Sequence, residues 1–314
     1  MRILAVLLFA STVARGAEVT RVGRWELHSS FWMNLHQTLM HDATSRTPRD
    51  LSALPKDQQD AWTAAVIAYR AGWGGQGSII FARPMKITQD ELSQVADDAV
   101  DANLSGPFAD VLRAAAPVYR AGWWPADDAA NRFFLGYAAA MLRDAGEELA
   151  RAHMDIYRAD FPKSIRVDIA AQAGEMGAYT DSFRNGGSIV TMSSRDAGYQ
   201  GLFALEMLLH ESSHTIVYPE GGTVGGAISA AVKRLGIEHP RNLWHAILFA
   251  TSSELARRAL LARGVTDYQP HSIRMLQDVW PKYSEPIAAH WIPYLDGKGT
   301  LEEAIDKVVA ALPR

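Results

Sequence analysis

Apolar residues recur every three or four positions along most of the chain, a spacing that places them on one face of a helix. Glycine and proline separate these stretches and predict turns between the helices. The stretches with this pattern are Trp25–Arg46, Lys56–Gly72, Pro107–Ala121, Asp127–Phe161, Gly201–Val217, Leu243–Arg263 and Thr300–Leu312. In the first stretch, Ser29 or Ser30 is placed to cap the helix. The first half of the chain is therefore expected to be mainly helical.

The pattern changes after Phe161-Pro162. Residues Ile165–Ile169 alternate between apolar and polar, which is typical of a half-buried strand. Gly174–Asp181 predicts a second strand and Ser188–Ser193 a third, with the turn sequence Asn185-Gly186-Gly187 between them. We therefore expect an α+β protein, predominantly helical, in which a short antiparallel or mixed sheet packs on the helix that follows it.

Composition limits the class of protein. With 314 residues, 48% of them hydrophobic and 21% charged, the chain has the make-up of a globular protein. We expect a helical N-terminal region over residues 18–163 and a sheet-bearing region over residues 164–314. A net charge of −4 without a basic run argues against a nucleic-acid partner. Cysteine is absent, which excludes disulfides, thiolate metal ligands and a cysteine nucleophile.

The N-terminus has the features of a secretory signal peptide. Met1-Arg2 is a short basic start, Ile3–Ala10 is apolar, and small residues follow up to Ala17. The apolar run is too short to span a bilayer as a stable helix. We therefore predict a signal peptide over residues 1–17 and a secreted or periplasmic protein with no membrane span after cleavage. A retained N-terminal anchor is the alternative.

The stretch His210-Glu211-Ser212-Ser213-His214 carries the candidate chemistry. Residues four apart share a face of a helix, so the two imidazoles can hold one Zn²⁺ ion. Glu211 is rotated off that pair and can act as general base toward water on the metal. The structural alternative is a core helix whose histidines are satisfied by hydrogen bonds.

Short strands, a helix with this motif and a later helix with an acidic residue together resemble the zincin metallopeptidases. The resemblance covers roughly residues Ile165 to Gly264. The extended motif of the metzincins would need Gly at 217 and His at 220, where this chain has Val217 and Glu220. The resemblance is therefore to a gluzincin-like arrangement, in which the third ligand is a glutamate on a downstream helix.

The resemblance implies that His210, His214 and Glu254 bind the metal, since Glu254 lies on the predicted helix Leu243–Arg263. His245 and Glu220 are the rivals. His245 precedes Glu254 by nine residues, about half a turn out of phase, so a straight helix cannot aim both at one ion. Glu220 has the metzincin spacing but lacks the glycine that lets that loop turn. The structural alternative for Glu254 is a surface pair with Arg258.

The expected function is zinc-dependent hydrolysis of a peptide or protein substrate, with Glu211 as general base. The resemblance also implies a His or Tyr that stabilises the oxyanion, for which His245, Tyr268 and Tyr218 are candidates. It further implies an edge strand that pairs with the substrate, for which we expect Ser188–Ser193. Two alternatives stay open, hydrolysis of a non-peptide amide and a binding or sensing protein with little turnover. The intact Glu211 favours an enzyme.

Overall fold

A computed structural model describes residues 19–182, 187–219 and 221–313 of the protein. The signal peptide predicted at 1–17 and the rival ligand Glu220 lie outside these residues, and export remains a prediction. The described residues are 61% helical and 9% strand, which confirms the predominantly helical α+β class. Among the described helices, none combines the length and apolar character that a bilayer crossing requires.

Five strands and thirteen helices make up the regular structure of the described residues. The strands are β1 (Thr20–Val22), β2 (Trp25–His28), β3 (Ile165–Ala170), β4 (Ala178–Ser182) and β5 (Ser188–Ser193). The helices are α1 (Phe31–Thr44), α2 (Lys56–Trp73), α3 (Arg83–Leu92), α4 (Ala109–Gly122), α5 (Trp124–Met141), α6 (Glu147–Tyr157), α7 (Phe203–Ser213), α8 (Gly222–Leu235), α9 (Leu243–Ala262), α10 (His271–Arg274), α11 (Pro281–Pro286), α12 (Ile292–Leu295) and α13 (Leu301–Ala310). Short 3₁₀ and π-helical turns lie between several of them.

The five strands form one mixed sheet in the order β1-β2-β3-β5-β4. Strands β2, β3 and β5 are parallel, and the edge strands β1 and β4 are antiparallel to their neighbours. The three strands expected after Phe161 are therefore present in a mixed sheet. Strand β2 occupies the first four residues of Trp25–Arg46, where the apolar spacing predicts a helix. Helix α1 begins only after Ser30, whose side chain caps it by accepting a bond from the amide of Met33.

The sheet lies between two apolar cores because alternate side chains point to opposite faces. On one face, Leu27, Val167 and Val190 pack with α5, α6, α7 and α9. On the other face, Tyr179 and Ile189 pack with α1, α2 and α4. The two expected regions, 18–163 and 164–314, thus share one sheet, since β1 and β2 belong to the first and the other strands to the second.

The helix with the motif, α7, packs against β4 and β5 on one side and against α9 on the other. It begins at Phe203, two residues later than predicted, and its regular turns end at Ser213. Helix α9 starts after Asn242 and matches the predicted helix Leu243–Arg263 to within one residue. The sheet therefore supports α7, and α7 in turn supports α9.

Acid is expected to destabilise the fold through two buried histidines, His36 and His153. Burial lowers the pKa of His36 to about 3 and that of His153 to about 4. Because both groups titrate near 6.5 when unfolded, the unfolded chain binds more protons below that pH. The free energy of unfolding should then fall by about 1.4 kcal/mol per pH unit for each histidine as pH drops from about 6.5 to about 4.

Urea unfolding of metal-free protein between pH 7 and 5 measures this slope. His153 donates from Nδ1 to the Leu149 carbonyl and accepts at Nε2 from Ser252, so His153→Asn keeps one of the two bonds and removes the titrating group. The variant should show the shallower slope. Equal slopes in the two proteins would contradict the assignment of a neutral, buried His153.

Candidate metal centre

The motif residues keep a helical arrangement through the last turn of α7. His210 and Glu211 lie inside the helix, and His214 follows its last residue with helical dihedrals, φ −62° and ψ −15°. The helix is buried on nearly all sides, because its leucines pack into the core beneath the sheet. The two imidazoles therefore meet as the spacing predicts, with ring centroids 5.0 Å apart.

A third imidazole, that of His245, joins the pair. His245 lies in the first turn of α9, and its ring centroid is 5.2 Å from that of His210 and 5.0 Å from that of His214. One potential ligand nitrogen from each ring lies within 4.8 Å of the others. We call His210, His214 and His245 the histidine triad.

One pair of nitrogens in the triad has the separation that two ligands of a zinc ion require. The Nε2 atoms of His210 and His245 are 3.2 Å apart. Two nitrogens bound to a tetrahedral zinc at 2.0–2.1 Å would be separated by about 3.3 Å. The other nitrogen of His210, Nδ1, is buried and has no hydrogen-bond partner among the described residues. A cation between the rings would bind a lone pair from each of these two nitrogens. A hydrogen bond between two neutral imidazoles uses the lone pair of only one of them.

Burial keeps the three imidazoles neutral near pH 7. It lowers the pKa of His214 to about 3 and that of His245 to about 4, and it lowers the pKa of His210 far below its usual range. Repulsion between the imidazolium forms lowers the pKa values of His210 and His214 further. Neutral imidazoles have the lone pairs that a metal ligand requires.

Glu211 lies beside the triad and against the edge strand. Its carboxylate Oε2 accepts a hydrogen bond of 2.8 Å from the hydroxyl of Thr180 in β4, which also donates to the Glu211 carbonyl at 2.7 Å. Burial raises the pKa of Glu211 to about 7, and the bond from Thr180 opposes that rise. The bond from Thr180 thus ties the carboxylate to β4, and the carboxylate is not grouped with the three imidazoles.

Aromatic side chains pack around the triad. The ring of Phe249 lies 3.8 Å from that of His210. Trp244 stacks on His245 at 4.9 Å with an angle of 14° between the planes, and Trp280 approaches His245 to 5.3 Å. These contacts hold the imidazoles in position and limit the access of water to the buried side of the site.

The structure does not place Glu254 with the triad, which corrects the prediction of the third ligand. Its carboxylate accepts two bonds of 2.7 Å from Arg257 and one of 2.7 Å from Arg258. His245 and Glu254 lie nine residues apart on a continuous helix and so point to opposite sides. The side of α9 that carries His245 faces α7. Glu254 instead pairs with Arg258, as the structural alternative proposed.

Tyr268 and the edge strand also differ from expectation. The hydroxyl of Tyr268 is buried and donates to Glu206 instead of reaching the triad. Strand β5 (Ser188–Ser193) is an inner strand, and the edge strand next to Glu211 is β4. His245, considered for the oxyanion, instead supplies the third imidazole.

Sequence reasoning missed two contributors to the site. Phe249 follows His245 by four residues on α9, so the helical spacing could have indicated it. Thr180 carried no such signal, because its contact with Glu211 depends on how the sheet packs against α7.

Comparison of the chain with models of known families, with curated proteins and with solved structures finds no match. The zincin resemblance therefore remains a prediction, which depends on the motif His210 to His214. A functional assignment for the chain depends on the geometry of its own site.

Proposed function

We propose that the protein is a zinc-dependent hydrolase that acts on peptide bonds. The histidine triad holds the ion, and Glu211 is the general base. One observation carries this proposal, the convergence of three neutral imidazoles beside a buried carboxylate that is not itself among the candidate ligands. A purely structural zinc site has no need of such a carboxylate.

Each group has a separate task. His210, His214 and His245 would hold the zinc ion, which would act as a Lewis acid toward water and the scissile carbonyl. Glu211 takes the proton from the attacking water and passes it to the leaving amine. Thr180 holds the carboxylate of Glu211 in place through its hydroxyl. Phe249 and Trp244 hold the rings of His210 and His245.

The edge strand β4 favours a peptide over another amide. Its residues Ala178–Ser182 pair with β5 on one side, and β4 is the last strand of the described sheet. An extended peptide can add to such an edge through main-chain hydrogen bonds. Because Thr180 belongs to β4, a peptide bound there would pass close to Glu211.

Zinc analysis of the purified protein, combined with digestion of a peptide library, tests the proposal. We expect about one zinc per chain and peptide cleavage that a chelator abolishes and added zinc restores. Protein that takes up no zinc would overturn the proposal. Zinc uptake without cleavage of any peptide would leave the two alternatives, a non-peptide amide hydrolase or a binding protein.

Replacing Thr180 by the isosteric valine should lower kcat roughly 10-fold or more, because a hydrogen bond to a charged group contributes about 1.5–3 kcal/mol. Zinc content should not change, since the Thr180 hydroxyl donates to Glu211 and not to any imidazole of the triad. Steady-state kinetics on a cleaved peptide measure the effect, and Thr180→Ser, which keeps the hydroxyl, is the control. Equal rates for the valine and serine variants would show that the hydroxyl does not position the base.

A further inference from the structure

Glu206 is a fully buried carboxylate on α7, one turn before His210. It accepts hydrogen bonds from the hydroxyls of Ser253 and Tyr268, one at each oxygen. The backbone amide of His271 lies 3.1 Å from both oxygens. A buried carboxylate is costly unless it is hydrogen-bonded, and here three donors from outside its own helix converge on it.

These bonds connect the two helices that carry the triad. Glu206 belongs to α7 with His210 and His214, whereas Ser253 belongs to α9 and lies about two turns after His245. The hydroxyl of Ser253 also accepts a bond of 3.1 Å from the amide of Ser272, which fixes its direction. The rings of the triad and Phe249 pack between α7 and α9. The Glu206–Ser253 bond adds a polar link between the two helices inside the core.

We propose that Glu206 is a positioning residue that sets the register of α9 against α7, so that His245 meets His210 and His214. This inference rests on the proposed function, because it concerns the affinity of the triad for zinc. Tyr268, which does not reach the triad, acts through Glu206 by holding its second oxygen. A shift of either helix along its axis would separate imidazole nitrogens that now lie within 4.8 Å of one another.

Two variants test this link. Ser253→Ala removes the donor on α9 and leaves Glu206 unchanged. Glu206→Gln keeps the shape but replaces one accepting oxygen by an NH₂ group, which cannot accept from the His271 amide and forces the hydroxyl facing it to accept instead of donate. Loss of a group hydrogen-bonded directly to a metal ligand typically weakens metal binding about 10–100-fold. Because Glu206 acts through the two helices, we expect a loss near the lower end of that range, about 10-fold, for both variants and a smaller loss for Tyr268→Phe.

Zinc affinity is measured by competition with a chelator of known affinity, and the visible absorption of the Co²⁺-loaded protein reports the coordination geometry. Asn131→Ala is the matched control. Asn131 is also fully buried and hydrogen-bonded, to Ser29, Asn34 and Ser194, but it lies on α5 and none of these partners belongs to α7 or α9. This variant should have a lower melting temperature than the wild type. Its zinc affinity and its Co²⁺ spectrum should equal those of the wild type.

Wild-type zinc affinity and an unchanged Co²⁺ spectrum in Ser253→Ala would overturn the role of Glu206, and this variant decides the question if Glu206→Gln does not fold. An equal loss of affinity in Asn131→Ala would also overturn it, because the effect would then follow from general destabilisation. Wild-type protein that binds neither zinc nor Co²⁺ would overturn the proposed function itself. Failure of the positioning role is thus distinguishable from failure of the metal site.

Discussion

Replacing His245 by alanine is expected to weaken zinc binding by more than about 100-fold, since loss of even an outer-shell partner costs about 10–100-fold. The Nε2 atom of His245 is 3.2 Å from that of His210, so its removal leaves two protein ligands. Two imidazoles on one helix do not make the three-ligand site of a zinc hydrolase. Hydrolysis should be lost together with the metal.

The matched comparison is Glu254→Ala on the same helix. Its carboxylate is engaged by Arg257 and Arg258, so the variant should bind zinc as tightly as the wild type. Chelator competition gives the affinities of the wild type and of both variants. Tight binding by His245→Ala together with weak binding by Glu254→Ala would show that the ion lies elsewhere.

Glu211→Gln should retain zinc but lose about 10²–10⁴-fold in kcat, the usual cost of removing a general base. Glutamine keeps the shape and can still accept the hydrogen bond from Thr180, so the local packing should survive. Zinc content and kcat, measured on the same preparation, separate the two roles of the motif. Rapid hydrolysis by this variant would mean that another group takes the proton.

Glu302→Gln provides the control for the change from acid to amide. Glu302 lies on α13, is largely exposed and pairs with Arg158 at the surface. We expect wild-type kinetics from this variant. A comparable loss in both variants would point to a general effect of charge and against a specific base at position 211.

The local part of the site could be predicted from sequence because helical spacing alone places His210 beside His214. The third imidazole, that of His245, could not be predicted in this way. Helical phase shows that His245 and Glu254 lie on opposite sides of α9, but the side that faces α7 is set by packing. The arginines that follow Glu254 were the available signal, since Arg257 and Arg258 occupy its carboxylate.

The sheet shows the same division between local and non-local information. Alternation in the sequence predicts β3 and β5, but it does not determine which strand lies at the edge. Strand β4 folds back outside β5, so the edge next to Glu211 belongs to β4. Strand β2 is four residues long, too short for a distinct alternation, and its pairing partner β3 is more than a hundred residues away in the chain.

The inner position of β2 has a consequence for how the fold tolerates cleavage of the chain. In this fold β2 is hydrogen-bonded to β3 along its length, and Leu27 belongs to the core that supports α7. Cleavage between α6 and β3 followed by loss of the first piece would expose β3 as a bare apolar edge and open that core. The first half of the chain is therefore a permanent part of the folded unit that carries the histidine triad.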